Sequence, residues 1–288
     1  MAFRKRREAL RSILSGSACI RPGSVYDATS IRIAWDLGFE LGMFGGSVAS
    51  LAVLGDPDIA LITLTELAEQ MRRMSRAAEL PVLVDADHGY GNALNVRRTI
   101  AELETAGAAG LTIEDTLLPQ AFGQSGSQLI PLQEGVGKMK AALDARRDAS
   151  LVVIGRTGAV SITALDDAIA RAKAYEATGV DALFFTGIKT RTELEAIAAA
   201  TTLPIVLGGA PEDMADPIYL ASQRVRIALQ GHAPFAAATQ AVYETLKALR
   251  EGLPPKALKG LASSELTGRV TREAEVRARS GEFLGLRK

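Results

Sequence analysis

Three carboxylates close to the ends of apolar segments are the first candidates for chemistry. Asp85 and Asp87 follow one apolar run, and Glu114 ends the next run along the chain. Residues two apart at the end of a strand face the same side, so both aspartates point one way. Three carboxylates held close together repel one another without a cation, and oxygen-only ligands suit Mg²⁺ or Mn²⁺. Solvated turn acids are the alternative, but the glycines of the D-A-D-H-G-Y-G segment favour a metal site.

An arginine and a glycine-rich turn are candidates for binding an anion. Arg156 ends a further apolar run, and a desolvated guanidinium must find an anion. Its planar fork suits a substrate carboxylate, although a salt bridge to one of the three acids would satisfy it equally. In Gly45-Gly46-Ser47 the backbone can approach a ligand closely and the Ser47 hydroxyl can bind a carboxylate, but many loops carry this sequence.

The chain has only two histidines, His88 and His232, and both follow apolar segments. The position of His232 after Gln230-Gly231 leaves a structural and a catalytic role equally open. A transition-metal site that uses both histidines ranks lower, because several predicted strands separate them.

The segments that carry these residues alternate with helical patterns along the chain. Continuously apolar runs are typical of parallel strands that are buried on both faces. A doubly wound sheet would carry a Gly-rich first turn, which the segment after Val25 lacks. We therefore expect a (β/α)₈ TIM-type barrel, in which functional groups project from the carboxyl ends of the strands. The expected strands are Cys19–Val25, Leu41–Phe44, Val82–Asp85, Leu111–Glu114, Leu151–Arg156, Ala182–Thr186, Ile205–Gly208 and Val225–Gln230. The main expected helices are Leu64–Ala78, Ala93–Thr105, Pro131–Arg147, Ala164–Thr178 and Arg191–Ala200.

Composition excludes several classes of protein. Lys+Arg and Asp+Glu both count 33, which argues against nucleic acid or an anionic membrane as the main partner. The single cysteine, Cys19, excludes an internal disulfide framework and suits a reducing compartment, so we expect a cytoplasmic protein. The basic start of the chain predicts an amphipathic helix ending at Gly16 rather than a transit peptide. We expect one domain over 1–288, in which 252–288 is a helical extension that packs on a neighbouring subunit.

Six motifs come in an order and spacing that resemble the isocitrate lyase/PEP mutase superfamily. The resemblance covers 8–250 and is greatest to the oxaloacetate decarboxylase family. The motifs are G-S-V-Y-D (23–27), G-G-S (45–47), D-A-D-H-G-Y-G (85–91), T-I-E-D (112–115), E-G-V-G-K (134–138) and G-R-T (155–157).

The resemblance implies a role for each candidate residue. Asp85 would hold Mg²⁺ (Mn²⁺ is also possible) directly, and Asp87 and Glu114 would act through water. Gly46, Ser47, Arg156 and His232 would bind the substrate, and Arg156 and His232 would also be catalytic. The implied reaction is decarboxylation of oxaloacetate to pyruvate and CO₂, with the metal and Arg156 stabilising an enolate. The family also implies a homotetramer, a dimer of helix-swapped dimers.

Departures from the superfamily patterns leave other activities open. The loop after the fourth strand lacks a cysteine, which disfavours isocitrate and methylisocitrate cleavage, and also lacks the lysine and asparagine of the phosphonomutases. Gly158 and Gly208–Ala210 stand where polar side chains are expected. These glycines could make room for a bulkier substrate of a C–C lyase or hydrolase that acts on another 2-oxo or 2-hydroxy dicarboxylate. They could also mark a carboxylate-binding barrel without turnover.

Overall fold

The computed structural model describes residues 3–285, in which eight strands and thirteen α-helices are found. The strands are β1 Gly23–Ser24, β2 Gly42–Phe44, β3 Val82–Asp85, β4 Gly110–Glu114, β5 Val152–Thr157, β6 Ala182–Phe185, β7 Ile205–Leu207 and β8 Val225–Ala228. The helices are α1 Arg4–Ser15, α2 Ala28–Asp36, α3 Gly46–Val53, α4 Leu64–Ala77, α5 Ala93–Ala106, α6 Leu132–Ala145, α7 Ala159–Ile162, α8 Leu165–Glu176, α9 Arg191–Ala200, α10 Pro217–Ser222, α11 Ala233–Arg250, α12 Ser264–Thr271 and α13 Glu273–Phe283. Short 3₁₀ turns span Glu212–Met214 and Pro255–Ala257.

The strands form one parallel sheet in chain order, β1 to β8, which confirms the TIM-type fold. The sheet closes where Ile20 pairs with Ile227: the Ile20 amide donates to the Arg226 carbonyl, and the Ala228 amide donates to the Ile20 carbonyl. The expected first strand is shortened to two residues because Pro22 has no amide hydrogen to donate. The carboxyl ends of all eight strands therefore lie on one rim.

Helix α1 contributes the residues that close the amino end of the barrel. Leu10 and Leu14 are buried in the same apolar cluster as the barrel side chains Leu83, Val152 and Ile154. Burying a leucine of this kind stabilises the fold by about 1.5–3 kcal/mol. The predicted first helix is confirmed from Arg4 to Ser15, and its first two residues in sequence, Met1 and Ala2, lie outside the described range.

Several helix ends follow from local sequence. Thr63 and Thr190 each form a capping box with the glutamate three residues later. Helix α5 ends at Ala106 and is followed by Gly107, whose left-handed φ of +97° stops the helix. The two threonine caps mark where the loops before α4 and α9 end, and Gly107 marks where the loop into β4 begins.

The chain divides into two compact units, 1–232 and 233–288. The second unit contains α11 to α13, and none of the residues of α11 is buried. The second unit begins at Ala233, whereas the sequence predicted a helical extension that begins at Gly252. Of the residues within 3–285, none belongs to a helix long and apolar enough to cross a membrane.

Candidate active site

The predicted acids and arginine meet at the carboxyl ends of β3, β4 and β5. The register of β4 and β5 pairs Glu114 with Arg156. Arg156 forms an ion pair with Asp85, and its Nε lies 3.0 Å from Glu114 Oε2 without the geometry of a hydrogen bond. Thr112 Oγ1 donates to the other Asp85 oxygen, Oδ1, at 2.8 Å. The salt-bridge alternative for Arg156 is therefore the arrangement in this structure.

The carboxylates of this group outnumber the positively charged side chain, Arg156, that pairs with them, and the pKa values of two of them are raised. Burial, and then the neighbouring carboxylates Asp85 and Glu114, raise the pKa of Asp87 well above 3.8. Burial also raises the pKa of Glu114, and the guanidinium of Arg156 opposes this shift only in part. One guanidinium among these acids leaves an excess of buried negative charge, which favours binding of a further cation.

The described residues nevertheless contain no preformed cluster of three or more acid, histidine or cysteine ligands for a metal ion. Both oxygens of Asp85 are engaged, one by Thr112 and the other by Arg156. A cation at Asp85 would therefore exchange with the guanidinium. The donor set suits a hard divalent ion, since it consists of oxygens and carries more charge than Arg156 neutralises.

The G-G-S segment begins helix α3 directly beside Asp87. A Cβ atom at Gly46 would lie 3.0 Å from Asp87 Cγ, so only glycine allows this approach. Asp87 itself has a φ of +45°, a left-handed conformation that turns the chain at the end of β3. Ser47, in the first turn of α3, is half-buried at this edge. The structure thus brings the predicted carboxylate-binding segment and the acids together.

His232 lies over the same segment, whereas His88 belongs to a different environment. A Cβ atom at Gly45 would be 2.7 Å from His232 Nε2, and Ser24 Oγ is 2.7 Å from His232 Nδ1. Burial lowers the pKa of His232, and the acids Asp85 and Asp58 oppose this shift. The His88 carbonyl accepts a hydrogen bond from Lys138 Nζ at 2.9 Å, and burial lowers the pKa of its ring to about 4.

A cavity of about 320 Å³ opens beside the acids and contains one carboxylate that the sequence analysis missed, Asp58. Burial and the nearby Asp85 raise the pKa of Asp58. Asp58 lies in the loop after α3, where no strand ends, so a search of strand ends does not reach it. The segment Asp56-Pro-Asp58, two acids around a proline, was the available signal. The cavity is lined by Asp58, Ile59, Ala60, Asp87, Glu114, Thr116, Leu118, Ser127, Arg156, Gly158, Ser161, Ile162 and Thr186.

Gly158 lines the cavity and Gly208 packs on Thr186, which also lines it, and both glycines make room for protein side chains. A Cβ atom at Gly158 would lie 3.1 Å from both Ile162 Cδ1 and Thr186 Oγ1. At Gly208 it would lie 2.8 Å from Thr186 Cγ2. The space beside these glycines is therefore filled by Ile162 and Thr186, and Thr186 is a polar group on this side. We call Asp85, Asp87, Glu114 and Arg156 the acidic side, and Gly158, Ile162, Thr186 and Gly208 the glycine side.

The loop between β4 and α6 borders the cavity and is held at its base by a buried ion pair. Asp115 is fully buried and accepts hydrogen bonds from Arg171 Nη1 at 2.9 Å and from the Tyr175 hydroxyl at 2.6 Å. Arg171 also donates to the Ile130 carbonyl at 3.2 Å, which joins the two ends of the loop. The last acid of the T-I-E-D motif thus positions the loop and does not face the cavity. Arg171 and Tyr175, in α8, gave no signal in the sequence because their partner lies more than fifty residues away.

Comparison with known proteins places this chain in a family. The family model described as phosphoenolpyruvate phosphomutase matches residues 10–250. A protein of Bradyrhizobium diazoefficiens named oxaloacetate decarboxylase is 80% identical over the full length of both chains. A protein of Rhodopseudomonas palustris (strain BisB5) with the same name is 74% identical, again over the full length of both.

Solved structures agree with this placement. Oxaloacetate acetylhydrolase in complex with 3,3-difluorooxalacetate superimposes with a TM-score of 0.86 at 25% identity and covers 97% of each chain. Phosphonopyruvate hydrolase in complex with oxalate and Mg²⁺ superimposes with a TM-score of 0.83 at 27% identity, covering 97% of this chain and 99% of the other. The chain therefore belongs to the phosphoenolpyruvate phosphomutase family.

Proposed function

We propose that this protein is an Mg²⁺-dependent oxaloacetate decarboxylase. The observation that carries the proposal is the group of carboxylates around Arg156, which bears more negative charge than the guanidinium neutralises and borders a small cavity. The chain is also 80% identical to a protein named oxaloacetate decarboxylase. A cavity of about 320 Å³ suits a small dicarboxylate.

Asp85, Asp87 and Glu114 are the residues that would hold Mg²⁺, with Mn²⁺ as the alternative ion. The excess negative charge that raises the pKa of Asp87 supports this assignment. A bound divalent ion supplies electrostatic stabilisation of negative charge on an oxygen of the 2-oxo acid. The oxalate and Mg²⁺ in the phosphonopyruvate hydrolase structure support this choice of ion and ligand class.

Arg156 has a charge-stabilising role in this proposal. Its Nη1 and Nε face Asp85 and Glu114, so a substrate carboxylate that binds through these same nitrogens displaces one of the acids. A cation at Asp85 would compensate that loss. When the bond between C3 and C4 of oxaloacetate breaks, CO₂ leaves and the electron pair moves onto the C2 oxygen. The guanidinium, already desolvated, is placed to stabilise this developing charge. A proton added at C3 then completes pyruvate.

Gly46, Ser47 and His232 would bind the carboxylate groups of the substrate. Gly46 and Ser47 lie in the first turn of α3, and a helix N-terminus favours an anion. His232 Nε2 lies against Gly45, at the same edge.

Hydrolysis is the second candidate activity, and the solved neighbours that are hydrolases favour it. A hydrolase would convert oxaloacetate and water to oxalate and acetate. The filled space beside Gly158 and Gly208 weighs against the use of these glycines for a bulkier dicarboxylate. A carboxylate-binding barrel without turnover has little support, because the acids and Arg156 are all present at the cavity.

The test measures pyruvate, oxalate and acetate after addition of oxaloacetate, with and without Mg²⁺. Because oxaloacetate loses CO₂ spontaneously and metal ions accelerate the loss, the background contains metal without enzyme. Enzyme-dependent pyruvate that EDTA abolishes supports decarboxylation. Formation of oxalate and acetate instead of pyruvate would refute decarboxylation and support hydrolysis. If no product exceeds the background, neither activity is present. The homotetramer and the cytoplasmic location stay predictions, and sedimentation checks the first of them.

A further inference from the structure

Ser24, the last residue of β1, makes a contact that the proposed reaction does not use. Its hydroxyl oxygen lies 2.7 Å from Nδ1 of His232, a hydrogen-bonding distance. Ser24 belongs to the G-S-V-Y-D segment, and His232 follows β8. The contact therefore joins the first and last strands at the rim of the barrel.

The other nitrogen of the ring faces the G-G-S segment. A Cβ atom built at Gly45 would lie 2.7 Å from His232 Nε2 and 3.7 Å from the Ser47 hydroxyl oxygen. The next residue, Gly46, lies against the carboxylate of Asp87. The Nε2 edge of His232 thus borders the acids and the proposed carboxylate-binding turn, while the Nδ1 edge faces Ser24.

A neutral imidazole carries one N–H, so the hydroxyl of Ser24 either donates to a bare Nδ1 or accepts from Nδ1–H. Within residues 3–285, the hydrogen-bond partner of Ser24 Oγ is Nδ1 of His232. Donation uses the hydroxyl proton and the Nδ1 lone pair in one bond. Acceptance would leave the hydroxyl proton unused and a bare Nε2 facing the turn, whereas donation leaves an N–H there that a bound carboxylate can accept from.

The surrounding charges favour the same arrangement. Burial lowers the pKa of His232, so the ring is neutral near pH 7. The negative charges of Asp85 and Asp58 act on the ring and stabilise an N–H, rather than a lone pair, on the edge that faces the acidic cluster.

We propose that the Ser24 hydroxyl holds His232 as the Nε2–H tautomer, so that the ring offers a hydrogen-bond donor to a carboxylate bound beside Gly45–Ser47. Ser24 is then a positioning residue that acts through His232. A donor at Nε2 attracts a carboxylate, whereas a bare Nε2 would repel it. The identity of that carboxylate rests on the proposed function, but the state of the ring does not.

The test reads the tautomer directly by NMR. The full chain is labelled with ¹⁵N-histidine, and long-range ¹H–¹⁵N spectra are recorded at neutral pH. Only two histidines contribute, so a His232→Asn variant identifies the His232 signals. The wild-type spectrum should show a protonated Nε2 and a bare Nδ1. Ser24→Ala should produce a mixture of tautomers or Nδ1–H.

Ser24→Thr is the matched control because it keeps the hydroxyl. A cavity of about 70 Å³ borders Ser24, so there is free space beside this position for a slightly larger side chain. Ser24→Thr should restore the wild-type tautomer, and its KM for oxaloacetate should stay within about twofold of wild type. Ser24→Ala should raise that KM by about tenfold, the effect of one lost hydrogen bond.

Two results would overturn the proposal: a protonated Nδ1 or a charged ring in the wild type, or the same tautomer in wild type and Ser24→Ala. If the spectra behave as expected but no pyruvate forms, the decarboxylase proposal fails and the assignment of the tautomer stands. The two proposals are therefore separated by one pair of measurements.

Discussion

The two sides of the cavity are built by different physical means. On the acidic side, Asp85, Glu114 and Arg156 hold one another through charge, and more negative charge is buried than the guanidinium neutralises. On the glycine side, Gly158 and Gly208 let Thr186 pack against the backbone. The first arrangement keeps charge available for a ligand at the expense of stability, and the second sets a wall by packing. Changes on the acidic side should therefore affect chemistry most, and changes on the glycine side should affect stability and shape.

The largest effect is expected from Asp85→Ala. The substitution removes the carboxylate that would hold the ion and also releases Arg156 from its partner. We expect Mg²⁺-dependent pyruvate formation to fall to the metal-only background, while circular dichroism shows an intact fold. Asp144→Ala is the matched control, since this exposed acid pairs with Arg97 away from the cavity. Turnover at the wild-type level in Asp85→Ala would refute the metal assignment.

Arg156→Ala should have the next largest effect. The acids would lose the guanidinium that pairs with them, and the developing charge on the C2 oxygen would lose its stabilising group. A loss of about 10²–10³-fold in kcat/KM is expected, by comparison with the removal of other groups that stabilise an oxyanion. Arg147→Ala, at the amino end of the barrel, should change little. An unaltered kcat/KM in Arg156→Ala would exclude the proposed role.

On the glycine side, Gly208→Ala should act mainly through packing. The new methyl would lie 2.8 Å from Thr186 Cγ2 and force that side chain to move. We expect a loss of about 1–3 kcal/mol in the free energy of unfolding, measured by urea denaturation. Gly209→Ala is the matched control: it adds the same methyl at the next residue, where no atom beyond the chain neighbours lies within 4 Å of the Cβ position. Equal effects of the two substitutions would mean that Thr186 is not held by packing.

The smallest effect is expected from Asp87→Asn, and it should be an increase in stability. The pKa of Asp87 is higher in the folded chain than in the unfolded chain. As pH rises above about 3.9, the unfolded chain therefore loses this proton first, and the free energy of unfolding falls. In the absence of divalent ions, the ionised carboxylate therefore destabilises the fold at neutral pH. The amide removes this penalty, and the melting temperature in EDTA should rise by about 2–4 °C.

The same variant should lose most of the stabilisation that Mg²⁺ provides to the wild type. Scanning calorimetry with and without Mg²⁺ measures both changes. If Asp87→Asn melts at a lower temperature than the wild type in EDTA, the carboxylates of the acidic side do not repel one another. The acidic side would then not differ from the glycine side in the way proposed.

The local structure was largely predictable because it depends on neighbouring residues. The runs Val82–Asp85 and Leu151–Arg156 correspond to β3 and β5 within one residue, since short, continuously apolar segments are typical of parallel strands buried on both faces. The position of the acids and of Arg156 on one rim follows from the strand count, because all parallel strands end at the same edge.

Other parts of the site depend on residues that are distant in sequence. Asp58 comes to the cavity from a loop, and the path of a loop is set by the packing of the helices around it. The partners of Asp115 lie on α8, so the sequence around Asp115 contains no sign of them. The space beside Gly158 also depends on a distant residue, because Thr186 from the end of β6 lies there together with Ile162.

The sequence by itself determined the barrel, the family resemblance and the rim on which Asp85, Glu114, Arg156 and His232 lie, because periodicity and motif spacing are local properties. Only the tertiary structure decided that Arg156 pairs with two of the acids, that His232 meets Ser24, and that glycines make room for Thr186. These contacts join different strands. Their distances depend on how the whole barrel closes, which no single segment encodes.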